Sequence, residues 1–247
     1  MKKLLLSGFL TIAMVVGVNA QKAGYDPVKA PFGHGEDSIN CRLNLSLMQT
    51  SAKAEAYESA LKPWMAVYEN CPASSKNIYI YGPRIFKALY EAAPDAAKKK
   101  EYLDKTMEIY DTRIKYYGED DAKGTILAYK AYDYMELMGE KTDQTVVYSW
   151  LGEALKEMKG NMNPLDAYSY YMVASLSQYL NDNSKKDQYL QDYFTVVGYV
   201  DQAIANAKSA NDQANADYLT MVKDGIVKGF INSGAGDCKT LTEYYAD

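Results

Sequence analysis

Histidine, cysteine and excess basic charge are all in short supply in this chain, and each shortage closes off a class of function. Its 247 residues include one histidine and three cysteines. Acid–base and metal-assisted catalysis lean on an imidazole with a partner in reach. His34 has only Gly33, Gly35, Glu36 and Asp37 beside it, so it reads as part of a flexible loop, with metal ligation as the alternative. No histidine accompanies the cysteines at zinc-ligand spacing, and no serine nucleophile motif, phosphate loop or calcium loop is present. Neither a catalytic residue nor a metal nor a cofactor is expected. Lysine and arginine total 27 against 32 acids, a net charge of −5. Dispersed charge of that sign offers no field to phosphates, so nucleic acid is not an expected partner. Glu119-Asp120-Asp121 reads as helix capping and macrodipole support rather than an acid–base group. Lys98-Lys99-Lys100 reads as a solvated helix face.

Long apolar runs are missing too, apart from Leu4 to Val18. That run follows Lys2 and Lys3 and is too short and too early for a typical membrane span. Val18-Asn19-Ala20 supplies a small-x-small cleavage site. Residues 1–20 are therefore expected to be a signal peptide and the mature chain to begin at Gln21; an uncleaved signal anchor is the alternative. No cysteine stands at the junction to take a lipid. The expected address is the periplasm or the medium, without membrane insertion once the leader is gone. About 227 mature residues suffice for one elongated helical array or two small domains.

What the chain does have is tyrosine, 24 copies against five phenylalanines, and helical periodicity. Tyrosine brings apolar area with a polar tip that must be hydrogen-bonded or wet, which suits a thin array whose core lies near the surface. Residues 21–40, with Pro27, Pro31, Gly33 and Gly35, read as an extended N-terminal segment. From Cys41 to residue 247 the chain reads as helix–turn–helix. Helices are expected over Cys41–Thr50, Lys53–Asn70, a stretch from Ser75, Glu101–Tyr117, Asp120–Met138 closed by Gly139, and Asp143–Lys159 closed by Gly160. Asn163-Pro164 opens the next, with Leu165, Tyr168, Met172, Leu176 and Tyr179 at helical spacing. Ser184 is expected to cap a helix carrying Tyr189, Tyr193, Val197, Val200 and Ile204. A last helix spans Gln213–Ile231 and stops at Asn232-Ser233-Gly234. Pro63 and Pro83 fall inside helical windows and should kink them, or else a helix begins at Pro83 and leaves Ile78 to Tyr81 extended. The fold class is all-α, with about nine helices and a stub of a tenth.

Cys41 to Ser74 fits a 34-residue frame. With Cys41 at position one, Leu47 falls at seven, Tyr57 at seventeen, Ala60 at twenty, Trp64 at twenty-four, Val67 at twenty-seven and Pro72 at thirty-two. A second frame from Ser75 puts Ile78 at four, Tyr81 at seven, Gly82 at eight and Ile85 at eleven; the glycine is needed where a neighbouring helix passes close. About ten extra residues around Ala92 to Lys100 then intervene, and of Tyr102, Lys105, Ile109 and Thr112 only Tyr102 and Ile109 suit their places. These residues resemble the tetratricopeptide repeat family. Together with the short basic leader, the Ala-Gln junction and Lys76-Asn77-Ile78-Tyr79-Ile80, they resemble exported Bacteroidota members of it. The resemblance implies a right-handed α-α superhelix of stacked hairpins that binds a peptide or protein partner, in a possible cell-envelope complex. Asp37-Ser38-Ile39 resembles the three-residue O-glycosylation signal of that phylum.

Carried over by position, the groove-facing places are Arg42, Leu45, Gln49, Ala52 and Lys53 in the first unit. In the second they are Lys76, Tyr79, Pro83, Phe86 and Lys87. Arg42, Lys53, Lys76 and Lys87 would line this groove with positive charge and suit an acidic or carboxylate-bearing segment; ordinary solvated charges are the alternative. Cys41 opens one helix and Cys71 closes its antiparallel partner, which permits a disulfide at one end of the hairpin; free buried thiols are the alternative. Cys238, after Asp237, looks like the start of a further repeat, or else is a reactive or intermolecular thiol. A second functional reading is a glycan-binding envelope component using Trp150, Tyr170 and Tyr171 as stacking surfaces. A third is an all-helical enzyme such as a polysaccharide lyase, which one loop histidine hardly equips.

Overall fold

A computed structural model describes residues 26–162 and 167–236. Among them the chain forms α1 (Glu36–Lys53), α2 (Tyr57–Asn70), α3 (Asn77–Ala92), α4 (Ala96–Tyr117), α5 (Lys123–Met138), α6 (Gln144–Met158), α7 (Ala167–Asn181), α8 (Lys186–Ser209) and α9 (Gln213–Ser233). Short 3-10 turns cover Gly139–Lys141, Lys159–Asn161 and Asn183–Lys185. No strand occurs among the described residues, so the all-α expectation holds there. Each helix packs on the next along the chain, and α1 also touches α3 and α7 touches α9. No described helix is long and apolar enough to cross a membrane. The leader, Asn163-Pro164, Leu165 and Cys238 lie outside the described residues.

Several boundaries move for local reasons. The extended reading of residues 21–40 fails at its end, because α1 begins at Glu36 after Gly35, whose φ of 57° favours glycine. Glu36 and Asp37 occupy the first turn, where the helix dipole favours acids. This also places Asp37-Ser38-Ile39 inside a helix. The extra residues before Glu101 are chiefly the opening turns of α4, capped by Asp95 accepting from the Lys98 amide at 2.9 Å. Gly139 and Gly234 close α5 and α9 at φ 53° and 69°. In α6 the positive φ falls on Lys159, at 48°, rather than on Gly160. Asp182, not Ser184, caps the turn into α8, accepting from the Ser184 amide at 3.0 Å and its hydroxyl at 2.7 Å.

The first core is built around Trp64 of α2. Ala60, Trp64 and Val67 are fully buried, as their spacing predicts. The indole stacks on Tyr68 at 4.5 Å and meets the edge of Phe86 at 5.0 Å. α3 continues through Pro83, so the reading of a helix starting at that proline is wrong. Pro83 has no N–H for the Tyr79 carbonyl, and one residue earlier the Ile78 carbonyl accepts the Trp64 Nε1–H at 2.8 Å. Gly82 sits under the same ring: a Cβ there would lie 2.9 Å from Nε1. The close passage expected at this glycine is therefore the Trp64 side chain. Cys41 and Cys71 form a disulfide across the α1–α2 hairpin with Cα atoms 6.4 Å apart, within the usual range.

Within α1 the packing is one residue off the expected frame. Met48 is buried, whereas Leu47 is 48 % exposed. In α4 the buried line runs through Thr106, Ile109 and Tyr110, leaving Lys105 and Thr112 half-exposed. A second core spans α5 to α9 and is made chiefly of alanine, valine and leucine with buried Tyr168, Tyr171, Tyr189 and Phe230. Tyrosine tips are satisfied as their chemistry requires. Tyr168 donates to the Lys159 carbonyl at 2.6 Å, and burial pushes its phenol up to about 12.

Candidate functional site

The groove residues divide into three groups. Arg42, Gln49 and Lys53 of α1 are at least partly exposed, and the Arg42 guanidinium lies 4.0 Å above the Phe32 ring. On the same helix Ile39 and Leu43 are 66 % and 55 % exposed and, with Leu47, recur every four residues. Such spacing forms one apolar stripe along a helix. Arg42 flanks that stripe and Lys53 lies in the last turn.

Tyr79 does not belong to a groove. It is 1 % exposed, donates its hydroxyl to the Pro72 carbonyl at 3.0 Å, and packs against Tyr68, Tyr116 and Tyr117. Burial pushes its phenol far up, so it stays neutral. Ala52, Pro83 and Phe86 are buried as well, and Leu45 packs half-buried against the same core. α3 lies against α1, α2 and α4, and therefore has few faces left for a ligand.

Lys76 and Lys87 are tied down by carboxylates. Lys76 donates to Asp121 at 2.6 Å, and Arg113 binds the other oxygen of the same carboxylate at 2.8 Å. Burial works against charge on Asp121, but the hydrogen bonds from Lys76 and Arg113 outweigh it and hold the carboxyl below its usual range. Asp121 is thus an ion-pair centre, not a cap: α5 starts after Ala122 without a side-chain cap. Lys87 of α3 donates to Asp133 at 2.7 Å and also pairs with Glu136, both on α5. Burial opposes its charge too, yet the two carboxylates keep its pKa raised. Asp133 further accepts from the Tyr110 hydroxyl of α4 at 2.6 Å. The groove of one arginine and three lysines therefore reduces to Arg42 and Lys53.

The aromatic surfaces of the glycan reading are largely spent on structure. Trp150 is half-buried, meets Tyr134 edge-on at 5.4 Å, and carries Lys130 above its ring at 4.3 Å, while that ammonium bonds Asp111 at 2.5 Å. Tyr171 is buried against Tyr148, and Tyr170 lies 6.2 Å from the Tyr132 ring. His34 sits in an exposed loop, and among the described residues no cluster of three or more His, Cys, Asp or Glu is placed to hold a metal.

Asp192 of α8 is the polar centre that sequence reasoning missed. It is 6 % exposed. One carboxylate oxygen accepts from the Tyr171 hydroxyl at 2.8 Å and Gln188 Nε2 at 2.9 Å. The other accepts from the Ser175 hydroxyl at 2.6 Å and the Tyr148 hydroxyl at 2.9 Å. Four neutral donors from α6, α7 and α8 thus occupy both oxygens. The available signal was an acid inside an apolar helical stripe, which demands partners. Beside it a cleft of about 130 Å³ is lined by Tyr148, Ser175, Gln178, Lys185, Gln188 and Tyr189. No protein-family model, curated protein or solved structure matches this chain.

Proposed function

We propose that this protein is an exported helical-repeat scaffold of tetratricopeptide type. In this reading stacked hairpins form a right-handed superhelix that holds a peptide or protein segment in the cell envelope and carries out no bond chemistry. The observation supporting a binding role is the apolar stripe of Ile39, Leu43 and Leu47 along α1, with Arg42 and Lys53 on the same helix. An apolar stripe left open along a helix marks a surface meant to be covered. The neighbour-on-neighbour packing of α1 to α9 supports an extended array with surface along its length. The acidic preference assigned to the partner follows from Arg42 and Lys53, which form no ion pair among the described residues.

The test is direct binding of a segment identified by affinity capture from cell envelopes. Leu43→Ser with Leu47→Ser should weaken it about tenfold or more, since each truncation removes apolar burial worth about 1–2 kcal/mol. Arg42→Glu with Lys53→Glu should weaken an acidic segment and spare a neutral one. Unchanged affinity in the leucine variant would remove α1 from the binding surface.

A further inference from the structure

The cleft beside Asp192 stands apart from the α1 surface and is built differently. Its walls come from α6 (Tyr148), α7 (Ser175, Gln178), the turn before α8 (Lys185) and α8 (Gln188, Tyr189). Clefts between helices with a few convergent polar groups are common ligand sites. A volume of about 130 Å³ is close to the ~150 Å³ engineered cavity that takes up one benzene ring. It is too small for a peptide or a drug-sized molecule, and its mixed lining of rings, hydroxyls, amides and an ammonium suits a ligand with both polar and apolar parts.

The hydrogen-bond bookkeeping narrows the ligand. Ser175 and Tyr148 each give their one hydroxyl proton to Asp192, so only lone pairs remain for anything in the cleft. A ligand there must donate to them. Lys185 has only protons to give, and makes no ion pair within 4.0 Å among the described residues. A ligand must also accept. Vicinal hydroxyl groups do both at once. Formal charge points the same way, because the Asp192 carboxylate disfavours an anion and Lys185 disfavours a cation. Tyr148, half-buried and stacked on Tyr171 at 5.0 Å, lines the cleft with an aromatic ring against which the C–H face of a saturated ring can lie.

We propose that the cleft between α6, α7 and the start of α8 binds a small neutral polyol about the size of one sugar ring, with Ser175 and Tyr148 as acceptors and Lys185 as donor. Asp192 is a positioning residue: it orients the hydroxyls and does not itself touch the ligand. The proposal does not depend on the peptide surface at α1.

The experiment is a titration of the full mature chain, followed by protein-observed NMR, with neutral hexoses, pentoses and alditols, and with choline and glucuronate as charged counterparts. The expected result is saturable binding of at least one neutral polyol at millimolar concentration, with shifts confined to α6, α7 and α8. Gln178, half-buried with its Nε2 donating to the Thr145 hydroxyl at 3.1 Å, keeps its amide oxygen for a ligand hydroxyl, and Lys185 is exposed. Gln178→Ala and Lys185→Ala should leave the circular dichroism spectrum intact and each weaken binding about tenfold. Three results would each overturn the proposal: no saturable binding of any neutral polyol, tighter binding of choline or glucuronate, or affinity untouched in both variants.

Discussion

Asp133 and Asp192 are almost equally hidden, at 7 % and 6 % exposure, yet they are stabilised by opposite means. Asp133 faces the Lys87 ammonium and one tyrosine. Asp192 has two tyrosines, a serine and a glutamine, and no cation bonds it among the described residues. The contrast follows the wider difference between the halves of the array. From α1 to α4 the core is aromatic, gathered on Trp64, pinned by a disulfide and tied to α5 by ion pairs. From α5 to α9 it is chiefly aliphatic with aromatic rings set into it, and its polar anchor is a neutral-donor cage. An ion pair needs one correct partner; a cage needs four hydroxyls and amides aimed at one point. The second arrangement leaves acceptor atoms lining a cleft, which the first does not.

Breaking the aromatic half at its centre should have the largest effect. Trp64→Ala removes the ring from Tyr68, Phe86 and the Ile78 carbonyl and should cost about 4 kcal/mol in chemical denaturation. Next comes the disulfide. Its loop of 30 residues corresponds to about 3.5 kcal/mol in the chain-entropy account, so Cys41→Ser with Cys71→Ser should lower the thermal midpoint markedly and mainly through the first half. Asp192→Ala leaves the buried Tyr171 and Ser175 hydroxyls without an acceptor and should cost about 3 kcal/mol. Hydrogen exchange should show that loss in α6 to α8 while α1 to α4 keep their protection.

Asp121 sharpens the comparison through pH. Its folded pKa is depressed, so its contribution is fully present above the unfolded value of 3.8 and is lost as pH falls through the folded one. Asp121→Asn should therefore cost about 2 kcal/mol at neutral pH, and the gap to the parent should close below pH 3.8. The smallest effect belongs to Lys100, whose pair with Asp104 is solvent-exposed on both sides. Lys100→Ala should leave the midpoint where it is.

The sequence reading succeeds where one helix face is pressed from two sides. Tyr57, Ala60, Trp64 and Val67 sit between α1 and α3, and their spacing alone identifies the packing stripe. It slips by one residue in α1, where packing on α2 and part of α3 leaves the outer stripe open and Leu47 as apolar as the buried Met48. Repeat position alone puts Tyr79 and Phe86 on the surface, but α3 is covered by three other helices and has little surface to offer. Lys76, just before that helix, and Lys87 on it look solvated in sequence because their carboxylates lie more than forty residues away. The Asp192 cage is hidden for the same reason, its donors standing 4, 17, 21 and 44 residues off. Helix caps are local chemistry and were legible at Gly139 and Gly234.

The central claim is that this array exists to hold a partner on its α1 end, and calorimetric titration of the captured envelope segment into parent and Leu43→Ser/Leu47→Ser protein tests it most directly. The account predicts saturable binding to the parent and about tenfold or greater loss in the variant, with both proteins equally helical. Equal affinity in the two, or chemical conversion of the titrated segment, would contradict it.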